Sequence, residues 1–149
     1  MANSRPLDIL IDLARDHADE AARQLQQLTA ARRSAENQLS MLMEYRQDYA
    51  QRLQVATQGG LTATNYHNFR QFIATLDEAI SQQNKAVAQI DLKIERGRDH
   101  WNEEKRKLNS FETLQSRQAR QQALRENRQE QRFNDEISAN LFRRTCNSH

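Results

Sequence analysis

The sequence feature that most constrains the fold is Gln58-Gly59-Gly60-Leu61-Thr62, which separates two long stretches of helical heptad pattern. Two of the three glycines of the chain stand side by side in this segment. Glycine reaches positive φ without a Cβ clash and is weak in a helix interior. The segment therefore predicts a turn between two helices, which makes the chain a helical hairpin.

The first stretch keeps a seam of alternating four- and three-residue steps over seven heptads. Thirteen of its fifteen positions are apolar, and the exceptions are Arg32 and Arg46. A repeat of this length favours a coiled coil over an ordinary surface helix. The seam consists of Leu7, Ile11, Ala14, Ala18, Ala21, Leu25, Leu28, Arg32, Ala35, Leu39, Leu42, Arg46, Tyr49, Leu53 and Ala56.

A second seam follows the turn, where Thr62 or Thr64 is a candidate helix cap. Ten of its thirteen positions are apolar, and Gln83, Gly97 and Glu104 mark weaker layers. The seam consists of Phe69, Ile73, Leu76, Ile80, Gln83, Val87, Ile90, Ile94, Gly97, Trp101, Glu104, Leu108 and Phe111.

These patterns predict an all-α fold, a long antiparallel two-helix coiled-coil hairpin with an overhanging C-terminal helical tail. The first helix is expected over about residues 5–57, the turn over 58–63 and the second helix over about 64–142. A turn near Gly60 pairs residues whose numbers sum to about 121, so the second helix is expected to be unpaired beyond about 115. Residues 143–149 are expected to be disordered, and the whole chain forms one coiled-coil domain.

Composition supports a thin seam and gives no support to an enzyme. Hydrophobic residues make up 37% of the chain, against a usual share of roughly 45–50%. The four histidines are far apart and no Gly-rich phosphate loop occurs, so we expect no catalytic residue, metal or cofactor. The lone cysteine, Cys146, and the lack of a long apolar run predict a cytoplasmic protein without membrane insertion.

The heptad labels place a row of apolar and aromatic residues on one flank of the hairpin near the turn. Large aromatic side chains at g positions are not fully covered by one partner helix, which predicts a part-exposed protein interface. The other interpretation, that Tyr45 and Phe72 only widen the local core, is equally open at this point. The row consists of Gln38, Leu42, Tyr45, Tyr49, Phe72, Leu76, Ala79 and Gln83.

A second cluster combines apolar anchors with basic residues. Its candidate contact residues are Trp101, Lys105, Leu108, Phe111, Leu114 and Arg117. Trp101 faces the region of Ala18 and Ala21, so space filling is the favoured interpretation there. The Arg/Gln-rich tail beyond it is interrupted by acidic residues and lacks aromatic stacking platforms, which favours a helical arm that docks on a protein over a nucleic-acid binder.

The chain resembles the FliJ family of the bacterial flagellar type III export apparatus over nearly its whole length. The resemblance is carried by AENQLSMLMEYRQDY (35–49), NFRQFIATLDEAI (68–80), Trp101 with KRKLNSFETLQSRQ (105–118), and RENR (125–128). It implies a coiled coil similar to the stalk of rotary ATPases. It also implies binding to the hexameric export ATPase at the open end, to the cytoplasmic region of the membrane export gate, to the ATPase regulator and to export chaperones.

The gate-binding surface of the family maps onto the row near the turn, except that Gln83 stands where the family pattern has histidine. For the ATPase, the resemblance points to the first helix from Leu7 to Leu28 and to the tail beyond Leu114. The segment 101–117 is the candidate chaperone surface. Peripheral association with the cytoplasmic face of the inner membrane at the flagellar base follows from these partners. The main alternative is a generic coiled-coil scaffold or homodimeric tether with other partners.

Overall fold

The structure, a computed structural model, describes residues 4–147, with side chains from residue 5 onward. It contains two helices, α1 over Ser4–Gln58 and α2 over Ala63–Asn147, and no strand in the described part of the chain. The two helices pack against each other, so the predicted all-α helical hairpin is confirmed.

The turn between the helices depends on a glycine and a threonine. Gly60 has φ +87°, in the left-handed region where glycine commonly follows a helix end. The Gly59 and Gly60 amides donate to the carbonyls of Val55 and Thr57 at 3.2 and 3.4 Å, which closes the last turn of α1. Thr62 Oγ1 accepts a hydrogen bond from the Asn65 amide at 3.3 Å, so Thr62 caps α2, one of the two predicted choices.

The structure divides into two compact units, and the central unit covers residues 17–104 with the turn. In this unit the predicted seam residues are buried or half-buried on both helices, except Arg46. Tyr49 contacts Phe72, and the numbers of this pair sum to 121 as the sequence predicts. The seam that the heptad pattern selects is therefore the core of this unit.

The terminal unit combines residues 5–16 of α1 with residues 105–147 of α2. Its buried apolar residues are Leu7, Ile11, Ala14 and Leu108. Gln115 Nε2 donates to Asp8 Oδ1 at 2.8 Å, and Arg15 lies 3.8 Å from Glu112. The first turns of α1 thus pack against α2 around residues 108–115.

The C-terminal end of α2 differs from the sequence expectation. All residues from 113 to 147 are exposed, yet α2 continues through Asn147, five residues beyond the predicted helix end. The predicted disorder at 143–147 is therefore replaced by helix, while residues 148 and 149 lie outside the described part. Neither Gly nor Pro interrupts this segment, Thr145 Oγ1 donates to the Leu141 carbonyl at 2.8 Å, and Arg144 is a cation in the last turn, where the helix dipole favours one.

Candidate protein-docking surface

The row of eight residues predicted near the turn lies in the central unit, and we call it the aromatic flank. Its members are Gln38, Leu42, Tyr45 and Tyr49 of α1 and Phe72, Leu76, Ala79 and Gln83 of α2. Tyr49 and Phe72 have ring centroids 4.3 Å apart and planes tilted by 34°. Phe69 adds a second ring at 6.1 Å from Tyr49. These separations are typical of favourable aromatic pairs, so the rings fix each other across the two helices.

The aromatic flank exposes large side chains rather than widening the core. Tyr45 is 54% exposed and Phe72 is 43% exposed, whereas Leu76 is 8% exposed and belongs to the core beneath them. Leu42, Tyr49 and Ala79 are half-buried. Of the two interpretations left open by the sequence, the structure therefore supports a part-exposed apolar surface, the kind that marks protein interfaces.

At the other end of this flank, Gln83 occupies a core position with its hydrogen bonds satisfied. Its Nε2 donates to the Ala35 carbonyl at 2.9 Å and to Gln38 Oε1 at 3.2 Å. A polar side chain in a coiled-coil seam lowers stability unless it is paired, and here both partners come from the facing helix. The pairing explains how the predicted weak layer at Gln83 is accommodated, and it joins Gln38 to Gln83 as the register predicts.

The opposite flank of the central unit is ionic. Arg32 donates through Nε to Asp91 and also pairs with Glu36 at 2.8 Å, and Arg46 donates to both carboxylate oxygens of Asp77. Hydrogen bonding to the facing aspartate, followed by its charge, raises the pKa of Arg32 and of Arg46 above the ordinary arginine value. The two arginines that interrupt the first seam thus have partners on the e positions of α2.

The sequence contained the signal for these ion pairs, because the numbers of both pairs sum to 123, close to the predicted 121. Reading the arginines only as exceptions to an apolar seam misses the aspartates that face them. An a-position cation with a carboxylate at the same register is a device that fixes register in coiled coils.

The region around Trp101 is closely packed. Trp101 is half-buried, at a register that places it opposite Ala18 and Ala21, which are 3% and 2% exposed. Glu104 is 8% exposed, and its Oε2 lies 3.9 Å from His17 Nδ1. The favoured space-filling interpretation of Trp101 agrees with this burial. The His17 side chain is itself 58% exposed, so this histidine lies at the surface with its Nδ1 near the buried carboxylate of the other helix.

The remaining residues of the second cluster lie in the terminal unit and differ in accessibility. Leu108 is 6% exposed and belongs to the packing against α1, so its side chain offers little contact surface. Lys105 and Phe111 are half-buried, Leu114 is 45% exposed, and Arg117 is exposed. The accessible part of this cluster is therefore centred on Phe111, Leu114 and Arg117.

Comparison with known proteins identifies the family to which this chain belongs. A family model described as "Flagellar FliJ protein" matches residues 3–146. The chain is also 36% identical over 138 residues to the flagellar FliJ proteins of Salmonella typhi and of Escherichia coli strain K12. Each match covers 93% of this chain and 94% of the relative. The chain belongs to the FliJ family. It is therefore a component of the flagellar protein export apparatus.

FliJ family membership assigns the helical hairpin to flagellar protein export and protein transport. Within the described residues, neither helix is both long and apolar enough to cross a membrane.

Proposed function

We propose that this FliJ-family chain is an adaptor that binds the cytoplasmic region of the membrane export gate and the hexameric export ATPase. Its mechanism is geometric, since different surfaces of the same hairpin engage different partners. The aromatic flank binds the gate, the terminal unit binds the ATPase, and the segment 101–117 contributes contacts for export chaperones or the ATPase. The ATPase regulator is a further partner, and the chain works as a peripheral component at the cytoplasmic face of the inner membrane.

The aromatic flank is the observation that carries the gate assignment. Tyr45 and Phe72 leave about half of their surface outside the core, while the Tyr49 ring packs against both Phe72 and Phe69. Large aromatic residues on a rigid, partly desolvated base are the most common anchors of protein interfaces. Because the opposite flank is held by ion pairs, the aromatic flank is the apolar flank of the central unit.

The terminal unit supplies the support for ATPase binding. Ile9, Leu10 and Leu13 are 65%, 42% and 49% exposed on α1. In the same unit α2 exposes Phe133 and Ile137, which lie one helical turn apart. Apolar side chains repeated at helical spacing on an exposed face are suited to helix-in-groove binding by a larger protein.

The gate assignment is tested with Tyr45→Ala and Phe72→Ala in the full chain, using the purified cytoplasmic region of the export gate. Each variant is expected to weaken binding about tenfold or more, because aromatic anchors contribute about 2 kcal/mol when truncated. Far-UV circular dichroism is expected to be unchanged. Leu92→Ala is the matched control, since Leu92 is 53% exposed outside the aromatic flank. Equal affinities of Tyr45→Ala, Phe72→Ala and Leu92→Ala would reject the site.

The ATPase assignment is tested by ending the chain at Gln115. Residues 116–147 are all exposed, so the truncation removes no buried side chain from either unit. The truncated protein is expected to lose most of its stimulation of the purified ATPase while keeping its affinity for the gate. Full stimulation by the truncated protein would show that the tail is not the ATPase contact.

A further inference from the structure

Arg52 extends the aromatic flank toward the turn. It follows Gln38 and Tyr45 at the same heptad position, seven residues after Tyr45. Its guanidinium carbon lies 5.5 Å from the centroid of the Tyr49 ring, within the range of a cation–π contact. Since Tyr49 packs against Phe72, a positive charge is held next to one ring of the central aromatic pair.

The local partner of Arg52 leaves room for a second anion. Arg52 Nη2 lies 3.2 Å from Asp48 Oδ2, one turn earlier on the same helix, and the two side chains are 62% and 54% exposed. An exposed pair at this spacing contributes little energy and is readily exchanged for another partner. A guanidinium has five N–H donors, so one carboxylate at Nη2 does not saturate it.

The eight residues of the aromatic flank carry no formal charge, so the charges at this edge come from Arg52 and its local partner Asp48. Val55 lies next to Arg52 in a shallow groove with Asp48, Gln51 and Ala56, and it is 65% exposed. A ligand that places an apolar side chain on the aromatic flank or on Val55 can thus place a carboxylate on Arg52 without crossing to the other helix.

We propose that Arg52 is a specificity-determining residue of the gate-binding surface, and that its ligand is an acidic side chain within the segment of the gate that covers the aromatic flank. The inference rests on the proposed function, which it deepens by assigning the chemistry of the bound segment: an apolar or aromatic anchor with an adjacent carboxylate. The planar guanidinium suits this role because it lies over the Tyr49 ring and can donate in its plane to a carboxylate.

Four full-chain variants separate charge from packing, with the purified cytoplasmic region of the gate as the probe. Arg52→Lys keeps the charge, and Arg52→Met keeps an aliphatic cover over Tyr49 without the charge. Arg52→Glu reverses the charge. Arg23→Glu is the matched control, because Arg23 is 66% exposed and pairs locally with Glu20, as Arg52 does with Asp48. Its heptad position lies on the outer surface of α1.

Arg52→Lys is expected to bind within about threefold of the wild type, Arg52→Met about fivefold more weakly, and Arg52→Glu more than tenfold more weakly. Arg23→Glu is expected to bind like the wild type. The difference between wild type and Arg52→Met is expected to shrink as NaCl rises from about 50 mM to about 500 mM, because salt screens exposed charges. If Arg52 only covered Tyr49, Arg52→Met would bind like the wild type or would lose affinity by an amount that salt does not change.

Three results would overturn the inference: equal affinities of Arg52→Glu and Arg23→Glu, equal losses for Arg52→Lys and Arg52→Met, or a loss in Arg52→Met that salt does not reduce. Tyr45→Ala, measured in the same series, distinguishes a failure of the Arg52 proposal from a failure of the proposed gate-binding function. If Tyr45→Ala weakens binding while Arg52→Glu matches its control, the gate site stands and the acidic ligand does not. If Tyr45→Ala also binds normally, the gate site itself is rejected.

Discussion

At the residue scale, Gly97 shows how a poor helix former is accommodated in the seam. It occupies a core position on α2, and the side chains of Leu25 and Leu28 close over it. A methyl group at this position would lie 3.4 Å from Leu25 Cδ1 and 3.5 Å from Leu28 Cδ1, which is ordinary van der Waals contact. The flexibility of glycine is therefore not required here, in contrast to the turn.

Gly97→Ala is expected to raise the free energy of unfolding by up to about 1 kcal/mol, because alanine loses less backbone entropy in a helix and fills space beneath the two leucines. Urea denaturation followed by circular dichroism measures the change. Gly97→Val is the control that overfills the same space and is expected to lower stability. A loss of stability in Gly97→Ala would mean that close approach at residue 97 is required.

Individual exposures were only partly predictable from heptad position. Tyr45 and Phe72 are at g positions, where the sequence left a part-exposed surface and a wider core equally open, and the structure has them 54% and 43% exposed. The pairing of His17 with Glu104 was not predictable in the same way, because a periodic pattern gives the face of a side chain but not the partner that a long side chain reaches. A buried carboxylate in the seam, at position 104, was the available signal that a partner was needed.

At the element scale, the two helices are joined by chemically different flanks. The aromatic flank depends on ring packing, and the opposite flank carries the Arg32–Asp91 and Arg46–Asp77 pairs two heptads apart. Two ionic contacts at this spacing match only one register of α1 on α2. The ion pairs thus specify alignment, and the apolar seam supplies most of the packing.

Asp77→Arg is expected to lower the urea midpoint modestly, because it places two cations together, and a second change, Arg46→Asp, is expected to restore part of the loss. Both groups are exposed, so added salt should narrow the differences. The raised pKa of Arg46 contributes stability below the ordinary arginine pKa and loses it only as pH rises through the folded-state value. We therefore expect no loss from this arginine between about pH 7 and pH 10. No recovery in the double variant would show that the pair does not act across the helices.

The helices themselves were largely predictable from the sequence, and the end of α2 was not. Periodicity and the Gly59-Gly60 break fix where two helices pack. An exposed helix without a partner is held only by local propensity and its own hydrogen bonds, so helix and disorder differ little in free energy there. That near balance explains why the sequence pattern could not fix the end of α2. The helix ends at Asn147 in the structure, whereas the sequence predicted an end near residue 142.

At the scale of the whole molecule, the turn decides whether one chain or two form the seam. Gly60 has φ +87°, and a side chain at this position is strained although space around it is open. A homodimeric tether, the main alternative fold from the sequence, would need α1 and α2 to join through residues 58–62 and pair with a second chain. The left-handed glycine disfavours that continuous helix and so favours the hairpin within one chain.

Replacing both turn glycines, Gly59→Ala with Gly60→Ala, is expected to shift the protein from monomer toward dimer. Alanine at residue 60 destabilises the left-handed turn conformation by about 1–2 kcal/mol. At each of the two positions alanine also stabilises a continuous helix by about 1 kcal/mol relative to glycine. Both effects favour a pair of chains that exchange their second helices. Light scattering during size-exclusion chromatography measures the mass. The wild type is expected near the chain mass of 17.5 kDa, and the mass of the double variant is expected to rise toward twice that value as concentration increases.

Gly60→Asn is the control, because asparagine tolerates the left-handed conformation and should leave the mass unchanged. A wild-type protein that is already dimeric at low concentration, or a double variant that stays monomeric at high concentration, would show that the turn does not control the choice between one chain and two.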